Sequence, residues 1–505
     1  MAMVEDSLQL HPLSFRLGSD EFANPFYQVL AADAPLPLQN RGSKAIRARP
    51  HHPGAVWAGR GFVREKVLVI HAQALYTVTH KVQRINDMLI EPLLTRYLRR
   101  TNQRYMRFHD ELNITPFQPR SRDYLLYIHI PFCEVLCPFC SFHRVQFKQD
   151  KAMSYFQALK RQIRDYAQRG FDFSSVYVGG GTPTVVPREL VEILDLVRSL
   201  FSVKRISIET NPDHLSDEVM TMMKAAGVNR LSVGIQTIDD RLLKEMERYD
   251  KYGCGAQIVE RLQDAQGRFD TLNADMIFNI PHQTRASLER DIQAISETAK
   301  VDQVSFYPLM ESSTTQLSMS NKMGNMDYRR EKKYYSIIVD GMGRDYQRST
   351  AWCFSRTDTM IDEYIIDDDE YIGVGSGAFS YIDGVTYSTT FSINRYIALI
   401  SQGKAPITAK REFSTYETMR YALLMRFFGL SLDKASMNSR FDNRFFQTLW
   451  KEFLAMELTG AIEDHGDHYR LTEKGTYYWV VMMREFFIGV NNFRDQMRHR
   501  IKEER

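Results

Sequence analysis

Between about residues 121 and 310, short apolar segments alternate with longer stretches of helical spacing. The short segments are rich in β-branched and aromatic side chains, which is typical of buried strands. The six segments are Tyr124–Ile130, Ser175–Val178, Arg205–Glu209, Arg230–Gly234, Leu272–Phe278 and Gln303–Tyr307. This alternation predicts βα units with a parallel sheet, and therefore an α/β fold. In barrels built from such units, functional side chains meet at the carboxyl ends of the strands.

Three of the five cysteines, Cys133, Cys137 and Cys140, closely follow the first of these segments. Thiolates are soft ligands that suit iron–sulfur clusters or zinc. A zinc site needs a fourth ligand, and no second C-x2-C pair follows in the sequence. Three thiolates on a four-iron cluster leave one iron free to chelate a small molecule. The spacing favours such a cluster, with buried or zinc-binding thiols as the alternative.

A glycine run and several polar residues follow the later strands. The run Gly179–Thr184 (GGGTPT) comes after the second strand, and glycines let a backbone approach a ligand closely. The polar residues at or beyond the next strand ends are Glu209, Gln236, Arg248 and Asp275. Taken singly, each has a simpler explanation as a turn, a helix cap or a solvated side chain. Their shared position at successive strand ends predicts one common site.

The C-x3-C-x2-C spacing resembles the cluster loop of the radical S-adenosylmethionine (SAM) superfamily. The preceding Tyr127-Ile-His-Ile-Pro-Phe narrows the resemblance to the branch of oxygen-independent coproporphyrinogen III dehydrogenase. This resemblance implies a partial (β/α)6 barrel and a [4Fe-4S] cluster on Cys133, Cys137 and Cys140. It also implies that SAM chelates the open iron and is cleaved to a 5′-deoxyadenosyl radical.

The resemblance assigns further roles by position. Tyr127, Gly180 and Glu209 match positions that contact the cluster-bound SAM, and Gly181 belongs to the same glycine motif. Thr182, Gln236, Arg248 and Asp275 match positions that hold a second SAM beside the first. Phe142, Pro308 and Phe379 fall near positions that line the two adenosyl groups. Among these residues, Tyr127, Glu209 and Arg248 are the candidates for a catalytic role.

One departure from the dehydrogenase pattern concerns the substrate. The dehydrogenase has a fourth cysteine two positions after the third, where this chain has Phe142. The retained second-SAM residues resemble instead the class C radical SAM methyltransferases. The expected reaction is methylation of an sp² carbon in a planar apolar ring, with menaquinone at C8 as the expected substrate. The alternatives are an enzyme acting on heme or porphyrin (ring opening or a dehydrogenase-like reaction), and a heme chaperone.

The 505 residues predict more than one domain. The expected units are a 1–120 α+β extension of unknown role, the 121–310 barrel, a 311–412 segment closing the site, and a helical, winged-helix-like 413–505 domain. A net charge of +3 gives no reason to invoke nucleic acid. Thiols that serve a cluster, together with the lack of a signal peptide and of a long apolar run, predict a cytoplasmic protein, with peripheral contact to the inner membrane face as an option. The resemblance implies an anaerobic enzyme. Flavodoxin or ferredoxin is the expected electron donor.

Overall fold

The computed structural model describes residues 90–101, 105–110, 118–119, 124–357 and 370–503. Most of the expected N-terminal extension, residues 1–120, lies outside these ranges. Its described part includes helix α1 over residues 90–101 and strand β1, His109–Asp110. The remaining elements all belong to the barrel, the segment after it and the C-terminal region.

The other strands, in chain order, are β2 (Tyr124–Ile130), β3 (Phe132–Cys133), β4 (Val145–Gln146), β5 (Phe173–Gly180), β6 (Arg205–Thr210), β7 (Arg230–Gln236), β8 (Thr271–Phe278), β9 (Gln303–Pro308), β10 (Gln347–Arg348), β11 (Cys353–Ser355), β12 (Tyr371–Val374), β13 (Phe379–Ile382), β14 (Val385–Thr389), β15 (Ile407–Glu412), β16 (Ser431–Asp433), β17 (Ile462–Asp464) and β18 (His468–Leu471).

The other helices are α2 (Gln149–Gln168), α3 (Pro187–Leu200), α4 (Asp217–Ala225), α5 (Asp240–Glu245), α6 (Tyr249–Tyr252), α7 (Gly255–Ala265), α8 (Arg285–Gln293), α9 (Thr315–Met323), α10 (Glu331–Met342), α11 (Ile393–Ser401), α12 (Thr415–Phe428), α13 (Lys434–Arg440), α14 (Phe445–Thr448), α15 (Trp450–Leu458) and α16 (Glu473–Glu503). Short 3₁₀ turns lie at Pro183–Val185, Pro212–His214 and Tyr328–Arg330, and a π-helical turn lies at Ala294–Ala299.

The six predicted strands are all present, and they pair in parallel in the order β2-β5-β6-β7-β8-β9. On one edge of this sheet, β9 pairs with the antiparallel β11–β10 hairpin. On the other edge, β2 pairs with β12, and β13, β14, β15 and β1 follow. Because their side chains are buried on both faces, the parallel strands read as nearly continuous apolar runs. The predicted partial barrel is thus confirmed.

Strand β5 is longer than its apolar pattern indicates. Its parallel register with β2 continues past Val178, so that Gly179 pairs with His129 and Gly180 with Ile130. Glycine is uncommon inside strands because it offers no side chain to pack, and the sequence pattern therefore ended the strand too early. As a result, the glycine run starts inside the sheet, directly beside β2.

Part of the segment after the barrel packs on the cysteine-bearing region. Helix α9 buries Met319 and Met323 in the cluster that contains Cys137 and Phe139. The C-terminal region pairs β16, β18 and β17 in a small antiparallel sheet next to helices α13 to α15. The apolar run of α16 that includes Trp479 is buried, so it is part of the core.

In the described ranges, the structure contains no helix with both the length and the apolar character required to cross a bilayer.

Candidate active site

The three clustered cysteines lie in a loop that backbone hydrogen bonds fasten at both ends. We call residues 131–147 the cysteine loop. Its ends meet where Val145 N donates to Pro131 O (2.7 Å) and Phe147 N donates to Cys133 O (2.8 Å). Inside the loop, the Arg144 guanidinium donates to the carbonyl oxygens of Cys137 and Cys140 (2.8 Å to Cys140). The loop shape is therefore set largely by main-chain atoms.

An ion-pair group joins the cysteine loop to helix α6. Glu134, Asp213 and His214 bring their ligand atoms within 4.8 Å of one another, which could suit a metal ion. The Lys251 ammonium, however, lies 2.7 Å from a Glu134 oxygen and 3.5 Å from an Asp213 oxygen. The Lys251 ammonium already pairs with both carboxylates, so we interpret this group as a structural ion-pair network that holds the cysteine loop against α6.

The thiols are suited to an iron–sulfur cluster. All three are free, and two receive polar contacts: Thr182 Oγ1 lies 3.6 Å from Cys133 Sγ, and Arg248 Nη1 lies 3.6 Å from Cys137 Sγ. Burial and the nearby Cys140 raise the pKa of the Cys133 thiol to about 11. A bound metal centre would stabilise the thiolate that the metal-free pocket disfavours. Hydrogen bonds donated to the sulfur atoms also tune the reduction potential of iron–sulfur clusters.

The glycine run leaves room for the cysteine loop and for Glu209. A Cβ on Gly181 would lie 2.7 Å from Phe132 O and 3.0 Å from Cys133 Sγ. A Cβ on Gly179 would lie 2.8 Å from a Glu209 oxygen. Gly180 has a φ of +123°, which disfavours other residues, and its Cβ would lie 2.7 Å from the His129 ring. The run is thus a steric requirement of the site.

Glu209 is a buried carboxyl with two fixed donors. Gly180 N donates to one oxygen (3.1 Å) and the Tyr177 hydroxyl donates to the other (3.0 Å). Burial raises the pKa of Glu209 to about 7, and the charge of Asp275 acts in the same direction. The group therefore changes its protonation state near neutral pH in the ligand-free protein.

The partly buried Tyr127 and the buried His129 form a hydrogen-bonded chain on β2. His129 Nε2 lies 2.9 Å from the carbonyl of His143, which can only accept, so Nε2 carries the proton. His129 Nδ1 then accepts from the Tyr127 hydroxyl at 2.9 Å. Burial lowers the pKa of His129 to about 4 and raises the pKa of Tyr127. Both side chains are therefore neutral at physiological pH.

Three of the residues matched to a second SAM occupy neighbouring positions. Asn211 Nδ2 donates to Thr182 Oγ1 (2.8 Å), and Arg248 Nη2 lies 3.5 Å from Asn211 Oδ1 and 2.5 Å from Gly234 O. Gln236 sits at a bulge of β7 with a φ of +75°, and its Nε2 would lie 3.0 Å from a Cβ on Gly234. Asn211 was missed by the sequence reasoning, although it stands two residues after Glu209 at the same strand end.

Asp275 is the fourth residue matched to the second SAM, and its charge acts on Glu209. It accepts from Ser232 Oγ (2.7 Å) and Asn273 Nδ2 (2.8 Å), and burial raises its pKa. Ser232, which donates to Asp275, is the register partner of Glu209, so the two carboxyls lie on either side of β7, and the charge of Asp275 adds to the raised pKa of Glu209.

The residues expected to line the adenosyl groups divide into two places. Phe142 and Phe379 are brought together by Arg494 of helix α16, whose guanidinium carbon lies 5.1 and 5.6 Å from their ring centroids. Pro308 ends β9 in register with Phe278, several strands away from β13. The sequence reasoning did not include Arg494, because nothing local to it indicates a site.

These features define a class of protein. Residues 127–295 match the model of the Radical SAM superfamily, so the chain contains a radical SAM domain, and its relatives include coproporphyrinogen III oxidases. The family implies an iron–sulfur cluster and SAM, which the three thiols and the glycine run accommodate.

Particular relatives point to tetrapyrroles. The "Heme chaperone HemW" of Bacillus subtilis is 28% identical over 64% of this chain and 87% of its own length. The "Anaerobilin synthase" of Escherichia coli O157:H7 is 26% identical over 57% of this chain and 67% of its own length. The solved structure of the coproporphyrinogen III oxidase HemN from Escherichia coli has a TM-score of 0.62 at 20% identity, covering 72% of this chain and 90% of that one. This structure supports the shared fold.

The prediction of menaquinone methylation is wrong. The relatives above carry names that concern heme or coproporphyrinogen, and they give no support to a quinone substrate. Methyl transfer as the defining reaction has no support from these relatives either. The physical reason is that the cysteine and glycine motifs specify the cofactors and not the substrate. Most side chains of the apolar run from Tyr477 to Met483 are buried in the protein core.

Proposed function

We propose that this chain is a radical SAM enzyme that acts on heme or a related porphyrin, held at the barrel mouth beside two SAM molecules. The cluster-bound SAM lies against Tyr127, the glycine run and Glu209. The second SAM lies against Thr182, Gln236, Arg248 and Asp275. The macrocycle approaches from the side of Phe142.

The buried guanidinium of Arg248 is the observation that carries this proposal. The residue is 4% exposed, it stacks 4.1 Å from the Tyr252 ring centroid, and it lies 3.6 Å from Cys137 Sγ. Among the described residues, its Nε has no hydrogen-bond partner. A buried cation of this kind is stabilised by a carboxylate that accepts two of its N–H groups. The carboxylate of a SAM molecule supplies such a group next to the cysteine loop.

The protein residues position and isolate the reactants. When bound, the cluster supplies one electron and SAM supplies the radical group. Glu209 can accept from an ammonium or ribose hydroxyl once its carboxyl ionises, and its pKa of about 7 lies close to the working range. The neutral Tyr127–His129 chain supplies a polar hydroxyl on β2 without adding charge. Such positioning lets the cofactors carry out the difficult steps.

A planar aromatic substrate suits the outer part of the site. Phe142, which replaces the fourth cysteine of the dehydrogenase, is 48% exposed and so presents an accessible ring next to the cysteine loop. Exposed aromatic rings offer stacking surface to planar ligands. The names of the relatives add heme and porphyrin as the planar ligands to be tested first.

A heme chaperone is the second candidate. It is favoured by the length of the match to two proteins named for that role, 87% and 98% of their own chains. A chaperone must bind and release heme but need not consume SAM at two sites. Product analysis therefore separates the two candidates.

The test uses the full-length protein, loaded with iron and sulfide without oxygen and supplied with a reductant. Methyl-deuterated SAM and iron protoporphyrin IX are added, and the products are identified by mass spectrometry. The proposal expects 5′-deoxyadenosine, S-adenosylhomocysteine and a tetrapyrrole whose mass has changed. Heme bound tightly but recovered unchanged, without S-adenosylhomocysteine, would instead support the chaperone.

A further inference from the structure

The last turns of helix α16 lie against the mouth of the barrel. The Phe493 ring stacks on Phe108, with centroids 4.1 Å apart, and lies 5.7 Å from the Phe379 ring. Met497, one turn further along, is buried in the same apolar cluster. These contacts hold the helix end in place, and they fix the direction of the side chains next to Phe493 and Met497.

Two of those neighbouring side chains are arginines that face the cysteine loop. Arg498 Nη2 donates to the carbonyl of Ser141 at 2.8 Å, one residue after the last cysteine. Arg494, one turn before, lies over the rings of Phe142 and Phe379 and donates to Asn491 Oδ1 at 2.8 Å. Residues four apart share one face of a helix. The helix thus places two guanidinium groups at the edge of the proposed substrate site.

The positive charge of this pair is directed into the barrel. Burial lowers the pKa of His129, and the charge of Arg494 acts in the same direction. Burial raises the pKa values of the partly buried Tyr127 and Tyr371, and the charge of Arg494 opposes this rise. Arg498 pairs with Asp495 at 3.1 Å, but Asp495 also accepts from Thr314 N at 2.9 Å. Like charges four residues apart repel on a helix, and the ion pair between Arg498 and Asp495 offsets part of this repulsion. A bound anion would relieve this repulsion.

We infer that Arg494 and Arg498 bind the propionate carboxylates of the tetrapyrrole, while the ring lies against Phe142. Guanidinium groups match carboxylates through two parallel N–H bonds, and both side chains are only partly buried, so they remain accessible to a ligand. This inference rests on the proposed function, because it names the contacts that orient the same substrate. The carboxylate of SAM is the other anion that could reach this edge, and the test separates the two.

The test compares full-length, cluster-loaded Arg494→Gln, Arg498→Gln and wild-type protein. Binding of iron protoporphyrin IX and of its dimethyl ester is measured by absorbance titration without oxygen, and binding of SAM is measured in parallel. Arg500→Gln, which removes the same charge from an exposed position on the same helix, is the matched control. Arg494→Lys keeps the charge and shows whether the fork geometry matters.

We expect each glutamine variant to bind iron protoporphyrin IX roughly tenfold more weakly than wild type, the loss typical of one charge-assisted hydrogen bond. The ester should bind wild type and variants alike, and SAM affinity should not change. Equal binding of the free acid by wild type and both variants would overturn this inference while leaving the proposed function standing. Weaker SAM binding with unchanged porphyrin binding would assign the arginines to SAM. A wild-type protein that binds no tetrapyrrole would overturn both proposals.

Discussion

The site has a floor and a rim that are built in different ways. The floor consists of the cysteine loop and the glycine run, and main-chain bonds hold it: Gly181 N donates to Ile130 O and Thr182 N to Phe132 O, both at 2.8 Å. The rim consists of residues 493–498 of α16 with Phe108 and Phe379, and side-chain rings and ion pairs hold it. The shape of the floor therefore depends little on most side chains, so it can hold cofactors in place when those side chains change. The shape of the rim depends on its side chains, so substitutions there can change which substrate the site accepts.

Cys137→Ala tests the floor most strongly. Removing one of three thiols should leave the cluster without a ligand, so we expect loss of bound iron and of 5′-deoxyadenosine formation. Iron analysis and product chromatography measure both. Cys254→Ala, outside the loop, is the control and should keep both. Cleavage of SAM by Cys137→Ala at the wild-type rate would show that Cys137 is not a ligand of a cluster needed for cleavage.

Gly181→Ala should have the next largest effect. Its new Cβ would meet the Phe132 carbonyl at 2.7 Å and the Cys133 sulfur at 3.0 Å, so the loop must move. We expect iron content and SAM cleavage to fall severalfold. Gly267→Ala is the control for general backbone strain, because its φ of +69° also disfavours a side chain but nothing lies within 4 Å of its Cβ, so iron content should stay normal. A Gly181→Ala protein with normal iron content would mean that the floor is softer than its packing indicates.

Arg248→Ala should separate the two proposed SAM positions. The loss of a buried charge-assisted contact corresponds to roughly 10- to 100-fold in the step that needs the second SAM. We expect S-adenosylhomocysteine formation to fall by that factor while slow 5′-deoxyadenosine formation continues. Arg285→Ala, on the exposed side of α8, serves as the control. An equal fall in both products would assign Arg248 to the cluster instead.

Glu209 gives the floor a pH dependence. Because its pKa is raised to about 7 in the fold, the folded state binds the proton more tightly than the unfolded chain does. Its contribution to stability is full below about pH 4.5 and is lost as the pH rises through about 7. The shift corresponds to roughly 3 kcal/mol. In urea unfolding of the cluster-free protein, Glu209→Gln should lose less stability than wild type between pH 5 and 8. Identical pH profiles would contradict the burial of this carboxyl.

Phe493→Ala should affect the rim and spare the floor. Truncating a buried phenylalanine typically destabilises a protein by about 3–5 kcal/mol, some of which should appear as local loosening of α16. We expect weaker porphyrin binding, measured by absorbance, with unchanged iron content. A loss of iron in this variant would show that the rim also supports the cluster.

The floor could be predicted from the sequence to a greater extent than the rim. The six strands and the residues at their ends can be predicted from local sequence patterns, and the spacing of the three cysteines predicts an iron–sulfur cluster. Arg494 and Phe379 meet only because α16 folds back over the barrel, more than a hundred residues away in sequence. Hydrophobic periodicity reports only local structure, so it could not predict the contact between Arg494 and Phe379. The substrate prediction failed because the cysteine and glycine motifs identify the cofactors, and none of them specifies the ring that the site accepts.

The most direct test of the account measures metal content and SAM cleavage together. The full-length protein, purified and loaded without oxygen, is analysed for iron and zinc, and 5′-deoxyadenosine is quantified with and without iron protoporphyrin IX. We predict about four irons per chain, and cleavage that increases when the tetrapyrrole is present. Zinc in place of iron, or no 5′-deoxyadenosine under either condition, would contradict the account.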